Sequence, residues 1–399
     1  MVSSGSDAAR PPRGRRRTEE RRAQLGEIAA QQFHRLGFHQ VSMAGVAAAI
    51  GLTAPAIYRH FRNKEELLAA AIGTALDAVD EALAEAKDAA LPEFLQVAAA
   101  VAVTRREVWI LLQREMRHLG VEQRGPLEDR FASIVRRFTT VIQAERTDLG
   151  APEVQLLTTA TLAVLASPSV YRRRLPEDEQ RAILAAASEA ACRARWVSPT
   201  GAAPPDRPSE GQQILEPTPS RSEEVLGTAI RLFSEKGYQA VSLDEIAAEL
   251  GMAGPSLYYY YATKSDLLVA AFVRATEWLA AQRTRGSRPP SLDELINTYI
   301  DLGIRERLLF GVYVWEAVNL PPEAGRRIRA GLDADIDAWC VALGRTRSGL
   351  TAPQCLVLVH AARAVVHDVV RLGHWHDRPD IAEVLRTLVH GALAAPLER

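Results

Sequence analysis

FHRLGFHQVSMAGVAAAIGLTAPAIYRHFRNKEELLAAAI (33–72) and FSEKGYQAVSLDEIAAELGMAGPSLYYYYATKSDLLVAAF (233–272) align without a gap at an offset of 200. Phe33, Gly37, Val41, Ser42, Ala47, Ala48, Gly51, Pro55, Tyr58, Lys64, Leu67 and Leu68 recur as Phe233, Gly237, Val241, Ser242, Ala247, Ala248, Gly251, Pro255, Tyr258, Lys264, Leu267 and Leu268. Fainter matching continues downstream at an offset of 201, where REMRHLGVE (114–122) lies over WEAVNLPPE (315–323) and GAP (150–152) over TAP (351–353). The chain is therefore two diverged copies of one unit. Between them, residues 197–220 are rich in Pro, Gly and Ser and lack periodicity, which reads as a linker.

Both copies carry apolar residues at helical spacing and no alternating strand pattern, so an all-α fold is expected. Gly37 and Gly237 end a first helix, and Ser242 with Glu245 has the pattern of a capping box opening a second. Gly51 and Gly251 end that helix. A third opens around Ala54–Pro55 and Gly254–Pro255, where proline suits a first turn, and closes near Phe61 and Tyr261. Asn63 and Thr263 are expected to cap a fourth. Two short helices joined by a glycine-containing turn make a helix-turn-helix.

At 399 residues the chain exceeds one ordinary core. Its formal charge of −1 means that any grip on nucleic acid must come from a local basic face. Cys192, Cys340 and Cys355 have no metal-ligand spacing and leave an odd count, which argues for a reducing compartment. No long uncharged apolar run is present, so a cytoplasmic protein without a membrane span is expected. There is no phosphate loop, nucleophile motif or paired metal-ligand motif, so neither an enzyme nor a bound cofactor or metal is expected. HDVVRLGHWHD (367–377) has poor spacing for a metal and reads as a solvated or packed helix end.

The pattern of Phe33, Gly37, Val41 and Ser42, the apolar helix ending at Gly51, and TAPAIYRHFRNKEELL (53–68) resembles the TetR family of bacterial transcriptional regulators. The resemblance covers about fifty residues per copy strongly. It implies two tandem units, each a helix-turn-helix domain followed by a helical ligand-binding and dimerisation bundle. The implied boundaries are a basic flexible arm at 1–17, heads at 18–66 and 221–266, and bundles at 67–196 and 267–399. The resemblance implies that the third helix enters the DNA major groove, that Tyr58 and Lys64 meet phosphates, and that Phe61 packs the core. Copy two departs from this pattern, with Tyr259, Tyr260 and Tyr261 standing where Arg59, His60 and Phe61 do.

Four consecutive tyrosines cannot share one buried stripe of a helix. Tyr261 is therefore expected in the core, with Tyr258 and one or both of Tyr259 and Tyr260 turned to DNA. Base reading falls to the start of the third helix, at Thr53, Ala54 and Ala56 in one copy and Ala253, Gly254 and Ser256 in the other. Ser42, Arg59, His60, Ser242 and Lys264 complete the candidate DNA-contacting set. Five arginines in RPPRGRRR (10–17) add a phosphate-neutralising arm.

The resemblance further implies a small-molecule effector, mostly apolar, with Trp109, Arg114, Glu115 and His118, and Tyr313, Trp315, Glu316 and Asn319, as candidate pocket residues. Two units in one chain suggest an intramolecular pseudo-dimer on a double-stranded, non-palindromic operator, acting as a repressor released by ligand. A linker of about 22 residues averages about 25 Å end to end as a coil, enough for that arrangement. A homodimer of the chain in which only the first head binds DNA, and an architectural protein without ligand response, remain open.

Overall fold

The computed structural model describes residues 13–172, 174–196 and 220–397. The linker at 197–219 and the arm at 1–12 lie outside the described residues. Among the described residues there are eighteen α-helices and no strand. Copy one holds α1 (Arg13–Leu36), α2 (Met43–Ala49), α3 (Ala54–Ile57), α4 (Lys64–Glu85), α5 (Leu91–Thr104), α6 (Glu107–Ile110), α7 (Val121–Glu145), α8 (Ala151–Ala166) and α9 (Glu177–Cys192). Copy two repeats them as α10 (Arg221–Lys236), α11 (Leu243–Glu249), α12 (Gly254–Leu257), α13 (Lys264–Thr284), α14 (Leu292–Arg305), α15 (Arg307–Glu316), α16 (Pro322–Thr346), α17 (Ala352–Arg371) and α18 (Ile381–Leu393). No helix among the described residues is long and apolar enough to cross a membrane.

The element boundaries follow from local chemistry. Gly37 and Gly237 sit at φ 77° with ψ 160° and φ 83° with ψ 149°, a region open essentially to glycine, and their N–H groups donate to Phe33 and Phe233 carbonyls to close the first helix. Gly51 and Gly251 take φ 69° and 61° after the second. Ser42 and Ser242 cap α2 and α11 through Oγ, which accepts from Gly45 N and Glu245 N. At Ser242 the serine side of the expected box is made, and the Glu245 carboxylate pairs with Lys236. Asn63 Oδ1 accepts from Glu66 N at 2.8 Å, and Thr263 with Asp266 forms a full capping box.

Two expectations shift. The third helix is a single α-turn, Ala54–Ile57, continued to Phe61 by turn hydrogen bonds from Arg59, His60 and Phe61 to Ala56 and Ile57 carbonyls. The segment Arg13–Arg17, expected in a flexible arm, is the start of α1. Arginine is a good helix former, which suits Arg13, Arg15, Arg16 and Arg17 to a first turn. In copy two the Ser220–Glu223 capping box starts α10 at Arg221, eight residues later in the repeat.

The chain divides into two compact units, Met1–Ala84 with Arg105–Ile134, and Glu85–Thr104 with Val135–Arg399. This division does not fall at the repeat boundary, because α5, α8 and α9 of copy one belong with the whole of copy two. The reason is compositional. Leu156, Leu157 and Thr158 and every residue from Ala160 to Ala166 on α8 are buried, so the C-terminal half of the helix has no solvent face and needs neighbours all round. Within the second unit α8 packs on α9 and α17, and α18 packs on α9 and α17.

Polar groups tie this four-helix arrangement across the copies. Gln354 Nε2 donates to Glu179 at 2.8 Å, Arg378 reaches Glu153 at 3.3 Å, and the Tyr171 and His360 rings stack at 4.4 Å. Arg146 clamps the end of α9 through the Cys192 and Ala194 carbonyls, and Arg347 clamps the end of α18 through those of Leu393 and Ala395.

Candidate nucleic-acid interface

In head one the core is Phe33, Val41, Val46, Ile57, Phe61, Leu67 and Leu68, all buried. Burying each such side chain contributes about 1.5–3 kcal/mol, and together they fix α3 beside α2. Thr53, Ala54, Tyr58 and Arg59 are then left exposed on one side, with Ala56 and His60 partly covered. Tyr58 is 57% exposed. Ser42 is exposed as well, with its Oγ spent on the cap. Burial, with Arg22, Arg21 and Arg59 close by, lowers the His60 pKa and favours the neutral ring.

Head two has the same frame and a different surface. Tyr258, Tyr259 and Tyr260 are 51%, 86% and 37% exposed, with the last two rings edge to face at 5.4 Å. Tyr261 turns inward, packs on the core, and its hydroxyl lies 3.1 Å from Ser222 Oγ. The partner of this exchange is visible in copy one. There Arg22, the residue aligned with Ser222, lies over the Phe61 ring at 4.3 Å and bonds to the His60 carbonyl and to Glu66. A larger ring in the core position is matched by a smaller residue on the helix above it. Ser256 is exposed, Ser242 caps, and a Cβ on Gly254 would meet only the end of the exposed Asp244 side chain, which can move aside.

Charge separates the two faces. Residues 21–66 carry six basic and three acidic side chains, whereas the aligned 221–266 carry four basic and seven acidic. The extra acids include Asp244, Glu245 and Glu249 on α11, where α2 has none. Arg59 and Arg62 become Tyr259 and Ala262.

Lys64 and Lys264, expected to meet phosphates, point into the heads. Lys264 Nζ donates to the Tyr238, Gln239 and Val241 carbonyls at 2.7, 3.3 and 2.8 Å and lies over the Tyr238 ring at 4.5 Å. Those three acceptors match its three protons. Lys64 repeats the contact on His39, Val41 and Phe38. Both lysines fasten the turn between the first and second helices to the start of the fourth.

Most of the residues expected to line ligand pockets are struts to the same turn. The Glu115 carboxylate accepts the Phe38 N–H at 2.9 Å, and Glu316 accepts that of Tyr238 at 3.1 Å. Arg114 pairs with Glu115 and donates to the Phe33 and His34 carbonyls at 2.8 and 2.9 Å, closing the end of α1. His118 stacks on Phe38 at 4.7 Å, and burial pushes its pKa down to about 4. Asn319 bonds to Glu316 and to Gln239 of head two. Trp109 packs on Phe131, Tyr313 on Phe272, and Trp315 lies along Gly311. Arg114, His118 and Asn319 therefore join body to head, because a buried carboxylate and the open carbonyls of a helix end attract the nearest donors.

The segment 367–377 is also only partly a helix end. His367 and Asp368 belong to α17, and Asp368 is buried against Arg371 at 2.9 Å and His367 at 3.2 Å. His374 and Asp377 are exposed.

Comparison with known proteins agrees with this geometry. The family described as "Bacterial regulatory proteins, tetR family" matches twice, at residues 27–71 and 225–271. The chain is 27% identical over 173 residues to the HTH-type transcriptional activator FasR of Mycolicibacterium smegmatis, covering 41% of this chain and 76% of that protein. It is 38% identical over 81 residues to the uncharacterized HTH-type transcriptional regulator YezE of Bacillus subtilis, covering 20% of this chain and 42% of that one. A TetR-family regulator from Bordetella parapertussis superposes with a TM-score of 0.40 at 17% identity, over 44% of this chain and 95% of the other. These relatives regulate transcription and are not enzymes. With the family's DNA-binding region matched twice in register and two helix-turn-helix heads built on the same capped and glycine-closed frame, both heads are DNA-binding regions of the TetR family of bacterial transcriptional regulators, carried in tandem on one chain.

Proposed function

We propose that the chain is a cytoplasmic repressor that acts as a single-chain pseudo-dimer on a non-palindromic operator and is released by a small ligand. The observation that carries this reading is the packing of α8 and α9 against α17 and α18 within one chain. Ordinary members of the family build such a four-helix contact from two subunits, and here one chain supplies all four helices. Unlike faces on the two heads favour unlike half-sites, since base contacts come from the start of the recognition helix. Two heads reading successive major grooves must sit about 34–36 Å apart, so a ligand that prefers another spacing lowers affinity. Glu115 and Glu316 give such a change a route, because each joins a body helix to the turn of its head.

A second reading has its own observation. The excess of acidic groups on head two opposes a phosphate backbone, which favours a homodimer of the chain gripping DNA with the two first heads only. Light scattering of the purified complex, with protection mapping on DNA upstream of its gene, separates the two. One chain on an asymmetric site supports the pseudo-dimer, and two chains on a symmetric site support the homodimer. If no specific complex forms on that DNA, neither reading is supported there.

A further inference from the structure

Copy two encloses a charged cluster at positions that copy one fills with hydrocarbon. Asp335 on α16 bridges two guanidiniums, Arg283 of α13 at 2.8 Å and Arg363 of α17. Arg363 and Asp335 have side chains only 8% and 2% exposed. The Arg363 guanidinium lies over the Tyr299 ring at 3.8 Å and within 5.6 Å of the Trp339 ring, and those two rings meet edge to face. Trp339 is fully buried, and its indole N–H has no hydrogen-bond partner among the described residues. At an offset of 201, the residues in place of Tyr299, Asp335, Trp339 and Arg363 are Ala98, Ile134, Phe138 and Leu162, all buried. At an offset of 200, Leu83 stands in place of Arg283.

Folding does not require this cluster, since copy one builds the same helices without it. Two guanidiniums sharing one carboxylate leave an excess of positive charge inside the bundle, where each ion costs several kcal/mol to desolvate. The unmade indole bond adds a further desolvation cost. Both deficits call for the same thing, an additional acceptor carrying negative charge. The surrounding rings of Tyr299 and Phe310, 5.5 Å apart, with Tyr313 nearby, offer apolar and edge contacts to the body of such a molecule.

We propose that copy two, and not copy one, is the ligand sensor, and that its ligand is a small organic monocarboxylate with an apolar body, held by Arg363 and the Trp339 indole N–H. This rests on the ligand-responsive reading above and names the chemistry of its site. The ligand carboxylate takes Arg363, while Asp335 stays with Arg283, so each cation gains its own anion. The exchange alters the tie between α13, α16 and α17. Because α13 begins at Lys264, which fastens the turn of head two, the change is delivered to a recognition helix.

The test uses the full chain, with benzoate, phenylacetate and octanoate as probes and benzamide, phenylacetamide and octanol as uncharged controls. Thermal unfolding and operator binding are read together. A carboxylate at ten times its Kd is expected to raise Tm by about 3 °C, with its neutral partner inert. The control variant D335I/R363L, made together with Arg283→Leu so that copy one's own residues stand at all three charged positions, is expected to fold at least as stably and to lose the carboxylate shift. Replacing Leu162 by Met in copy one is expected to leave the shift intact. No shift from any carboxylate at about 10 mM, or an equal shift in the triple variant, overturns the proposal. A shift from the neutral probes alone overturns it too, while leaving ligand response standing. A carboxylate shift lost in the triple variant with operator affinity unchanged supports the anion site and removes ligand release from the function.

Discussion

The turn after α3 carries Arg59, His60 and Arg62, and the same turn after α12 carries Tyr259, Tyr260 and Ala262. Beneath both lie the same glycines, the same serine cap, the same lysine on the carbonyls of the first turn and the same glutamate on its N–H. The frame of a helix-turn-helix is thus set by a few buried and backbone-bonding positions. The face it presents is free to change sign, and the two faces are expected to contribute to DNA binding by different physics: charge neutralisation in head one, hydroxyl and ring contacts in head two.

The sharpest probe of that shared frame is the buried glutamate strut. Replacing Glu115 by Ala strands the Arg114 guanidinium and the Phe38 N–H, and is expected to cost about 3–5 kcal/mol by chemical denaturation. For Glu316→Ala, which removes the acceptor of the Tyr238 N–H where Trp315 stands in place of Arg114, about 1–3 kcal/mol is expected. Equal losses would mean that the two struts are energetically alike despite their different neighbours.

Electrostatics gives the next contrast. Arg59→Ala with Arg62→Ala should weaken operator binding by about 100-fold at moderate salt and flatten the slope of log affinity against log salt by about 2. Tyr259→Ala should weaken binding without changing that slope. A slope change from the tyrosine variant would break the division of labour between the heads.

A pH effect tests the seam between the copies. Burial, with Arg363 and Arg174 nearby, pushes His360 down to about 3, so the folded chain holds it neutral while the unfolded chain takes up a proton near pH 6.5. Its contribution is therefore intact above pH 6.5 and lost progressively as pH falls from there toward 3. At pH 5 the loss is about 2 kcal/mol, and His360→Phe, which keeps the stack on Tyr171, should remove that part of the pH dependence. Denaturation curves at pH 7 and pH 5 that run parallel for the two proteins would exclude the effect. The smallest expected change is symmetrical, with Gly51→Ala and Gly251→Ala each costing about 1 kcal/mol, because both glycines hold positive φ with open space around the missing Cβ.

How far the sequence could be read follows from the range of the forces involved. Glycine stops, serine caps and the repeat are local or self-referential, and they carried the all-α tandem reading. The inward turn of Tyr261 was also readable, because a Phe occupies its place in the other copy. The bonds of Lys64 and Arg114, the stack of His118 on Phe38 and the bond that Asn319 accepts from Gln239 were not readable, since each depends on a partner distant in the chain. The Asp335–Arg363 cluster did leave a trace: charged residues at positions where the aligned copy has Ile134 and Leu162. The likeness of the two copies drew attention to what they share and away from that difference.

On the proposed pseudo-dimer reading, the seam of α8, α9, α17 and α18 has a genetic consequence. In a regulator assembled from identical subunits, every codon change appears twice in the active particle, so both half-sites must change together. A chain that holds both halves exposes each mutation once. One half can then drift toward a new operator sequence or a new ligand while the other preserves the old grip, and the pairing does not depend on how many molecules the cell contains. The opposite charges of the two heads and the single charged bundle are the kind of divergence such an arrangement permits.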